Sequence, residues 1–524
     1  MIARLGRRYF IGGAATLSAA LWIPRAARAG AAMGFDDARH LLSRTAFGVT
    51  PAEIHAVEEL DQAAAVDRLL GRFHRKAGTP DPDWASQPPS FIRQQARASG
   101  KEAGGKEAAP REALDAKSRQ LVQQQVREQG RQLRNWWIEE MLATDQPLVE
   151  RMTLFWHNHF TSSIQKVRYA PALYRQNALF RGEAFGNFAT LLKAVARDPA
   201  MLIYLDGVRS VARQPNENFA RELLELFTLG EGHYAESDIK EAARAFTGWS
   251  MDRETGHFQN HPQQHDGGEK KFLGKTGRFG GDDIIAILLR HPRTAETVVE
   301  KLWREFVSLK PDAAEVKRLA AIFRDGGYEV KPVLRAMLLS PAFRDTANRA
   351  ALIKSPVDLI VGTVHVLGLP VPEKTQLVRM LQGLGQSPFD PPNVKGWAGG
   401  ESWITTYTLL LRQQFLRRMV EATTVSPMEG GGMMAARPGR RAERRQQVPG
   451  QETMEVMEAP RPVEGRSLRN AAAEVRLGPT LTGVDMSTLT RTLLPCQPID
   501  RVDAGKTPGA VVAAAMLDAA YQLK

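Results

Sequence analysis

The chain has 524 residues, 43% hydrophobic and 24% charged, a composition typical of a soluble globular protein with one large domain or a few ordinary ones. Its formal charge of +12 favours anionic surfaces or polymers, yet no basic stripe interleaved with aromatics marks a nucleic-acid groove. The single cysteine, Cys496, excludes an intramolecular disulfide, CxxC zinc sites, c-type haem attachment and cysteine-ligated iron–sulfur clusters, so any metal must sit on His, Asp and Glu.

The chain opens with Arg7-Arg8 followed by Tyr9, Phe10 and Ile11, the pattern of a twin-arginine export signal. The weakly apolar stretch from Phe10 to Ile23 is too short and too rich in small residues to be a permanent span. Ala27-Arg28-Ala29 supplies a cleavage pattern, so residues 1–29 read as a signal peptide and the mature chain as periplasmic or secreted. Discounting the five arginines of that segment leaves a net charge of +7. The lack of disulfides fits a chain that folds in the reducing cytoplasm before export. No later apolar run approaches the length of a membrane span.

The rest reads as all-α: a single large multi-helical domain over 30–425 with a short β-hairpin excursion. Apolar residues at three- and four-residue spacing predict helices over 35–44, 51–73, 114–143, 147–160, 171–181, 184–197, 216–229 and 238–248. Others follow over 282–290, 294–309, 312–325, 330–339, 349–368, 373–383 and 402–423. The exception is Gly256 to Phe279, where glycines and polar residues alternate with Phe258, Phe272 and Phe279. It predicts a hairpin turning at Asp266-Gly267. From Ser426 to Pro479, Gly430-Gly431-Gly432, many arginines and scattered prolines predict a disordered linker or insertion over 426–479. A C-terminal segment, 480–524, carries an Ala-rich helix over 507–523 that packs back on the main domain.

Four stretches carry the chemistry. In Arg151 to Phe160, Leu148, Met152, Phe155, Trp156 and His159 share one helix face, while His157 is rotated by roughly 200°. The two histidines reach one metal only if the helix ends at Asn158; otherwise each is a core histidine. The stretch Asn216 to Gly230 is a complete helix, with Asn216 an N-cap and Gly230 a C-terminal stop. Asn218, Glu222 and Glu225 lie along its flank. Arg221 stands one turn from both Glu217 and Glu225, a structural pairing that competes with a catalytic role for the carboxylates. His265-Asp266, in a glycine-flanked loop, is the most ligand-like pair, although turn chemistry alone also explains Asp266-Gly267. Finally, Pro388 to Trp403 is a rigid loop whose Trp397 and Trp403 either stack on a sugar ring or anchor the loop. No nucleophile elbow, phosphate-binding glycine loop or HExxH motif is present.

These segments together resemble a bacterial family of exported proteins, the domain-of-unknown-function family 1800. The resemblance is carried by His40 to Gly48, Phe155 to Phe160 and Asn216 to Gly230. Asp238 to Trp249, His265-Asp266 with Phe272-Leu273-Gly274, and Pro391 to Trp397 complete it. It implies export, with no established reaction, and a frequent association with a secreted sulfatase- or phosphatase-like protein. Two functions follow as expectations. The first is a periplasmic hydrolase of an envelope polysaccharide or other polymer. Its divalent metal ion sits on His265 and Asp266, with His157 or His159 and Glu222 as further ligands, and Glu225 or Glu222 serves as general base. The second is a non-catalytic scaffold or partner of the sulfatase- or phosphatase-like protein, in which Glu217, Arg221, Glu222 and Glu225 form a buried ion network.

Overall fold

The computed structural model describes residues 31–91, 94, 116–368, 371–423, 480–500, 502 and 507–524. The signal peptide expected over 1–29 and the insertion expected over 426–479 lie outside the described residues.

Local signals set most of the elements. Helix α1 (Phe35–Thr45) is followed by α2 (Pro51–Glu58), which starts at a Thr50–Glu53 capping box, and by α3 (Gln62–Gly71). The single helix expected over 51–73 is two, because Asp61 accepts from the Ala64 N–H and caps a new start. The long α4 (Ala116–Ala143) buries Trp136 and Trp137 near its end. Helix α5 (Pro147–His159) follows, then α6 (Ile164–Val167), α7 (Ala170–Gly182), α8 (Phe188–Ala196) and α9 (Pro199–Tyr204). Helix α10 (Glu217–Glu222) runs without a break into a π-helical segment, Leu223–Thr228.

After α11 (Glu236–Ala245) come two small antiparallel hairpins. Strand β1 (Trp249–Met251) pairs with β2 (Phe258–Asn260), and β3 (Lys270–Phe272) with β4 (Lys275–Gly277). The turn expected at Asp266-Gly267 is instead at Leu273-Gly274, where both residues have positive φ, as the tight hairpin turn demands. Asp266-Gly267 lies between the hairpins.

The second half is helical again. Helices α12 (Gly281–Arg290), α13 (Pro292–Phe306), α14 (Ala313–Asp325), α15 (Val330–Leu338) and α16 (Pro341–Arg344) lead to α17 (Pro356–Leu367). Then come α18 (Lys374–Gly383), α19 (Thr406–Thr423), α20 (Met486–Leu493) and α21 (Pro508–Leu517). Helix α17 starts later than its apolar pattern suggests, because Ser355 caps it and Ile353 is bridged to Leu523 in extended form. Helix α21 packs against α19 and α20. One hydrophobic core runs from Ala38 to Tyr521. Among the described residues no helix is long and apolar enough to cross a membrane.

Helix α5 lies in the middle of that core, with ten of its thirteen residues buried, Glu150 and Arg151 among them. Helix α17 comes so close to the loop after α1 that a Cβ on Gly362 would stand 2.3 Å from the Phe47 carbonyl oxygen. This approach brings Asp358, one turn into α17, against Arg151.

Candidate functional site

A cavity of about 320 Å³ opens where α5, α13 and the 395–403 loop meet. From α5 it takes Arg151, Leu154, Phe155, Asn158 and His159, whose spacing of three and four residues puts them on one helix face. Helix α13 supplies Lys301, Arg304 and Glu305, and the loop supplies Lys395, Trp397 and Trp403. Asp358 and Lys524 complete the floor. Basic side chains outnumber acidic ones, with Arg151, Lys301, Arg304, Lys395 and Lys524 against Glu305 and Asp358.

The floor is a closed ion cluster. Arg151 donates to Asp358, to Glu305 at 2.8 Å and to the Ala46 carbonyl at 2.7 Å, and Lys524 donates to Asp358 at 2.7 Å. The wall is different. Lys301 is largely buried and has no carboxylate partner among the described residues; its Nζ donates to the Leu226 carbonyl at 2.7 Å and to His159 Nδ1 at 3.1 Å. Burial, helped by Arg304, lowers its pKa to about 8. The Leu226 carbonyl belongs to the π-helical segment, whose last carbonyls lack partners within the helix. Three side chains of α13 cap that end: Lys301 on Leu226, and Arg293 and Thr297 on the Leu229 carbonyl at 3.2 and 3.1 Å.

The 395–403 loop is pinned to α5 by Asn158. Its Oδ1 accepts the Trp397 N–H at 2.7 Å and its Nδ2 donates to the Trp397 carbonyl at 3.3 Å. Gly396 allows this clamp, since its φ is +78° and a Cβ would stand 2.2 Å from Asn158 Oδ1. Gly396→Ala is therefore expected to cost about 1–3 kcal/mol and to release the Trp397 backbone from α5. A drop in the denaturation midpoint with a shifted tryptophan emission would show it; an unchanged midpoint would refute the clamp.

The candidate residues do not form one centre. Helix α5 continues through His159, so its two histidines face opposite ways. His157 is enclosed by Trp137, Phe180, Phe389 and Trp397, with neither ring nitrogen hydrogen-bonded among the described residues, and burial lowers its pKa to about 3. His159 alone reaches the cavity, and burial, then the Lys301 charge, holds its pKa well below the usual value. His265 bonds the Thr247 carbonyl at 3.0 Å, while Asp266 is paired with Arg244 at 2.7 Å, a contact that lowers its pKa. Among the described residues, no group of three or more His, Cys, Asp or Glu side chains is placed to hold a metal ion. The expected ligand set of His265, Asp266, His157 and His159 is not assembled, because each side chain is held by different neighbours.

Glu222 and Glu225 do lie together. Glu225 accepts from the Tyr234 hydroxyl at 2.9 Å and meets Lys395 Nζ at 3.7 Å. Glu222 is half-buried with no ion pair among the described residues, and burial, then the Glu225 charge, raises its pKa. The expected Arg221–Glu225 pair is absent: π-helical winding rotates Glu225 out of the four-residue register, and Arg221 turns to Glu236 at 2.6 Å and Glu217 at 3.4 Å. Since Arg221 and Glu236 are substantially exposed, the buried ion network expected on this helix is not there. Asn218 bonds Asp206 at 3.2 Å. Trp397 and Trp403 are buried, at 5% and 7% exposure, and wall the cavity rather than presenting free faces.

Larger hollows are chemically quieter. In one of about 620 Å³, Glu140 is taken by the Gly78 and Thr79 amides, and Glu150 by Arg181 and Trp137. In another of about 800 Å³, Arg134 and Arg168 already donate to carbonyls.

A family model described as "Protein of unknown function (DUF1800)" matches residues 40–523, nearly the whole chain. No curated protein and no solved structure matches.

Proposed function

Because the chain belongs to the DUF1800 family of proteins of unknown function, its role has to be argued from the cavity, and we propose an exported protein that binds the anionic groups of an envelope or extracellular polymer. The observation that carries this reading is the cationic lining of the cavity, five basic side chains against two carboxylates; Arg304 and Lys395 also pair with Glu300 and Glu231 outside the lining, and Lys301 meets no carboxylate among the described residues. Such a focus of positive potential attracts polyanions and strengthens their binding at low salt. The twin-arginine pattern at Arg7-Arg8 supports delivery to the periplasm or outside. On this reading the protein works beside an exported sulfatase- or phosphatase-like partner, which acts on the same anionic groups.

Titration of the purified mature chain with dextran sulfate and polygalacturonate should show salt-dependent binding, and neutral dextran none. Replacing Arg304 and Lys395 together with methionine is expected to weaken polyanion binding about tenfold, the equivalent of about 1.4 kcal/mol. Equal binding of neutral dextran would overturn the reading. For the address, Arg7→Lys with Arg8→Lys should hold a fused reporter in the cytoplasm; full export of that variant would refute it.

A hydrolytic reading of the same protein is favoured by Glu222. A half-buried carboxyl with a raised pKa, three residues from a second carboxylate, suits a general acid. If the polymer is cleaved, Glu222→Gln should abolish turnover by 10²-fold or more while binding persists. Retained turnover would remove Glu222 from the chemistry.

A further inference from the structure

A hollow of about 580 Å³ opens between α4 and the chain segment 83–91, and its chemistry is unlike that of the cationic cavity. Leu121, Gln124, Gln125, Glu128, Gln129 and Gln132 line it from α4, and their spacing of three and four residues makes them one face of that helix. Asp83, Trp84, Gln87 and Phe91 line it from the segment opposite. Among the described residues no basic side chain lines it. Its carboxylates are the exposed Asp83 and Glu128, which pairs with Arg131, so an anion is disfavoured here.

Hydrogen bonds fix the two walls against each other. Trp84 Nε1 donates to Gln132 Oε1 at 2.6 Å, Gln129 Nε2 donates to Gln87 Oε1 at 3.0 Å, and the Tyr169 hydroxyl donates to the Gln87 carbonyl at 2.7 Å. Two primary amides joined by one such bond keep an unused acceptor, Gln129 Oε1, and an unused donor, Gln87 Nε2. Among the described residues neither atom has another partner, and neither is sealed from solvent. Turning both amides over exchanges the roles of the two side chains and leaves the same inventory. Gln124 beside them is exposed, and Phe91 shows 37% of its surface.

We infer that this cleft binds an acetamido-bearing sugar of a neutral glycan, with Gln129 and Gln87 reading the acetamido group. The group's N–H donates to Gln129 Oε1 and its carbonyl accepts from Gln87 Nε2. Its methyl and the apolar face of the sugar ring pack on Phe91 and Leu121, while Asp83 and Gln124 meet the hydroxyls. A plain hexose has no amide to offer the pair, and an anionic sugar meets the Asp83 carboxylate. A peptide backbone carries the same amide, but the exposed aromatic ring and the hydroxyl-binding groups around the pair suit a sugar. The inference stands apart from the polyanion reading, since the two cavities share no residue.

The test is calorimetric titration and saturation-transfer NMR of the full mature chain with tri-N-acetylchitotriose, maltotriose and N-acetyl-trialanine amide. The acetylated sugar should bind, with the strongest saturation on its acetyl methyl groups, and maltotriose should not. Gln129→Met and Gln87→Met keep the side-chain length and remove the amide, and each should weaken binding about tenfold. Dextran sulfate attachment should be unchanged in both. Equal binding of maltotriose, wild-type affinity in both variants, or binding of the peptide amide in place of the sugar would overturn the inference. A wild type that binds the acetylated sugar and no polyanion keeps this cleft and sinks the polyanion reading; one that binds polyanion and no acetylated sugar does the reverse. Should Gln129→Met fail to fold, Gln87→Met and the exposed Phe91→Ala decide the question, since both are expected to lose affinity with the fold intact.

Discussion

Asp358→Asn is expected to destabilise the protein by about 3–5 kcal/mol, among the largest effects of any single substitution, because it leaves two buried cations without their shared counter-ion. Asp358 is fully buried at the start of α17, where it pairs with Arg151 and Lys524 and accepts the Ser355 N–H at 3.0 Å. Burial alone would raise its pKa, yet the two cations override burial and hold it well below the usual carboxylate range. With asparagine in place, Arg151 keeps Glu305 as its one carboxylate among the described residues, beside the Ala46 carbonyl, and Lys524 loses its carboxylate partner. Typical domain stabilities are about 5–15 kcal/mol, so the loss is a large part of the total. A fall in the urea midpoint with an unchanged denaturant slope would show it. The triple replacement Arg151→Met, Asp358→Leu, Lys524→Met should recover most of the loss, since removing a buried ion cluster as a whole is far cheaper than breaking it. A wild-type midpoint for Asp358→Asn would mean that the cluster contributes nothing.

How much of this was legible in the sequence depends on how local the cause is. The two ends of the run formed by α10 and its π-helical continuation were legible, because Asn216 caps its start through its own side chain and Gly230 takes the positive φ that stops it. The π-helical turn between them was not: nothing in Leu223 to Thr228 marks it, and it alone undoes the Arg221–Glu225 pairing that a four-residue register implies. Opposite facing of His157 and His159 followed from helical geometry, but which neighbours close over each depends on α4, α7, α13 and the 395–403 loop. The ion cluster was missed altogether, as 207 residues separate Arg151 from Asp358. One signal was available. Glu150 and Arg151 sit inside the apolar run from Leu148 to Trp156, and charges embedded there need partners from elsewhere in the chain. Lys301 and Glu305, one helical turn apart on α13, look in sequence like an ordinary solvated flank. Only the packing of α13 against α5 turns one toward His159 and the other toward Arg151.

The same buried groups set the response to acid, and stability is expected to fall steeply between pH 6.5 and pH 4. Burial lowers the pKa values of His40 and His157 to about 3, and that of His159 well below its usual value. An unfolded chain protonates these residues near pH 6.5. Below that pH the unfolded state binds protons that the folded state refuses, so each histidine costs about 1.4 kcal/mol of stability per pH unit. Asp198 works in the opposite direction. Burial raises its carboxyl to about 7, so the folded state takes up that proton from pH 7 downward, while the unfolded chain waits until about 3.8. Three losses against one gain leave a net fall of about 3 kcal/mol per pH unit, and two units consume a typical stability. Closer to pH 3 and below, protonation of Asp358 adds to the loss. Acid titration followed by circular dichroism at fixed ionic strength should therefore show a cooperative transition between about pH 4 and pH 5. His157→Phe offers the sharpest check, because phenylalanine suits a cage of Trp137, Phe180, Phe389 and Trp397 and carries nothing to protonate. Its transition should shift to lower pH and lose about one proton of steepness. A variant that unfolds at the wild-type pH with the wild-type slope would show that this histidine is not the buried neutral group its enclosure implies.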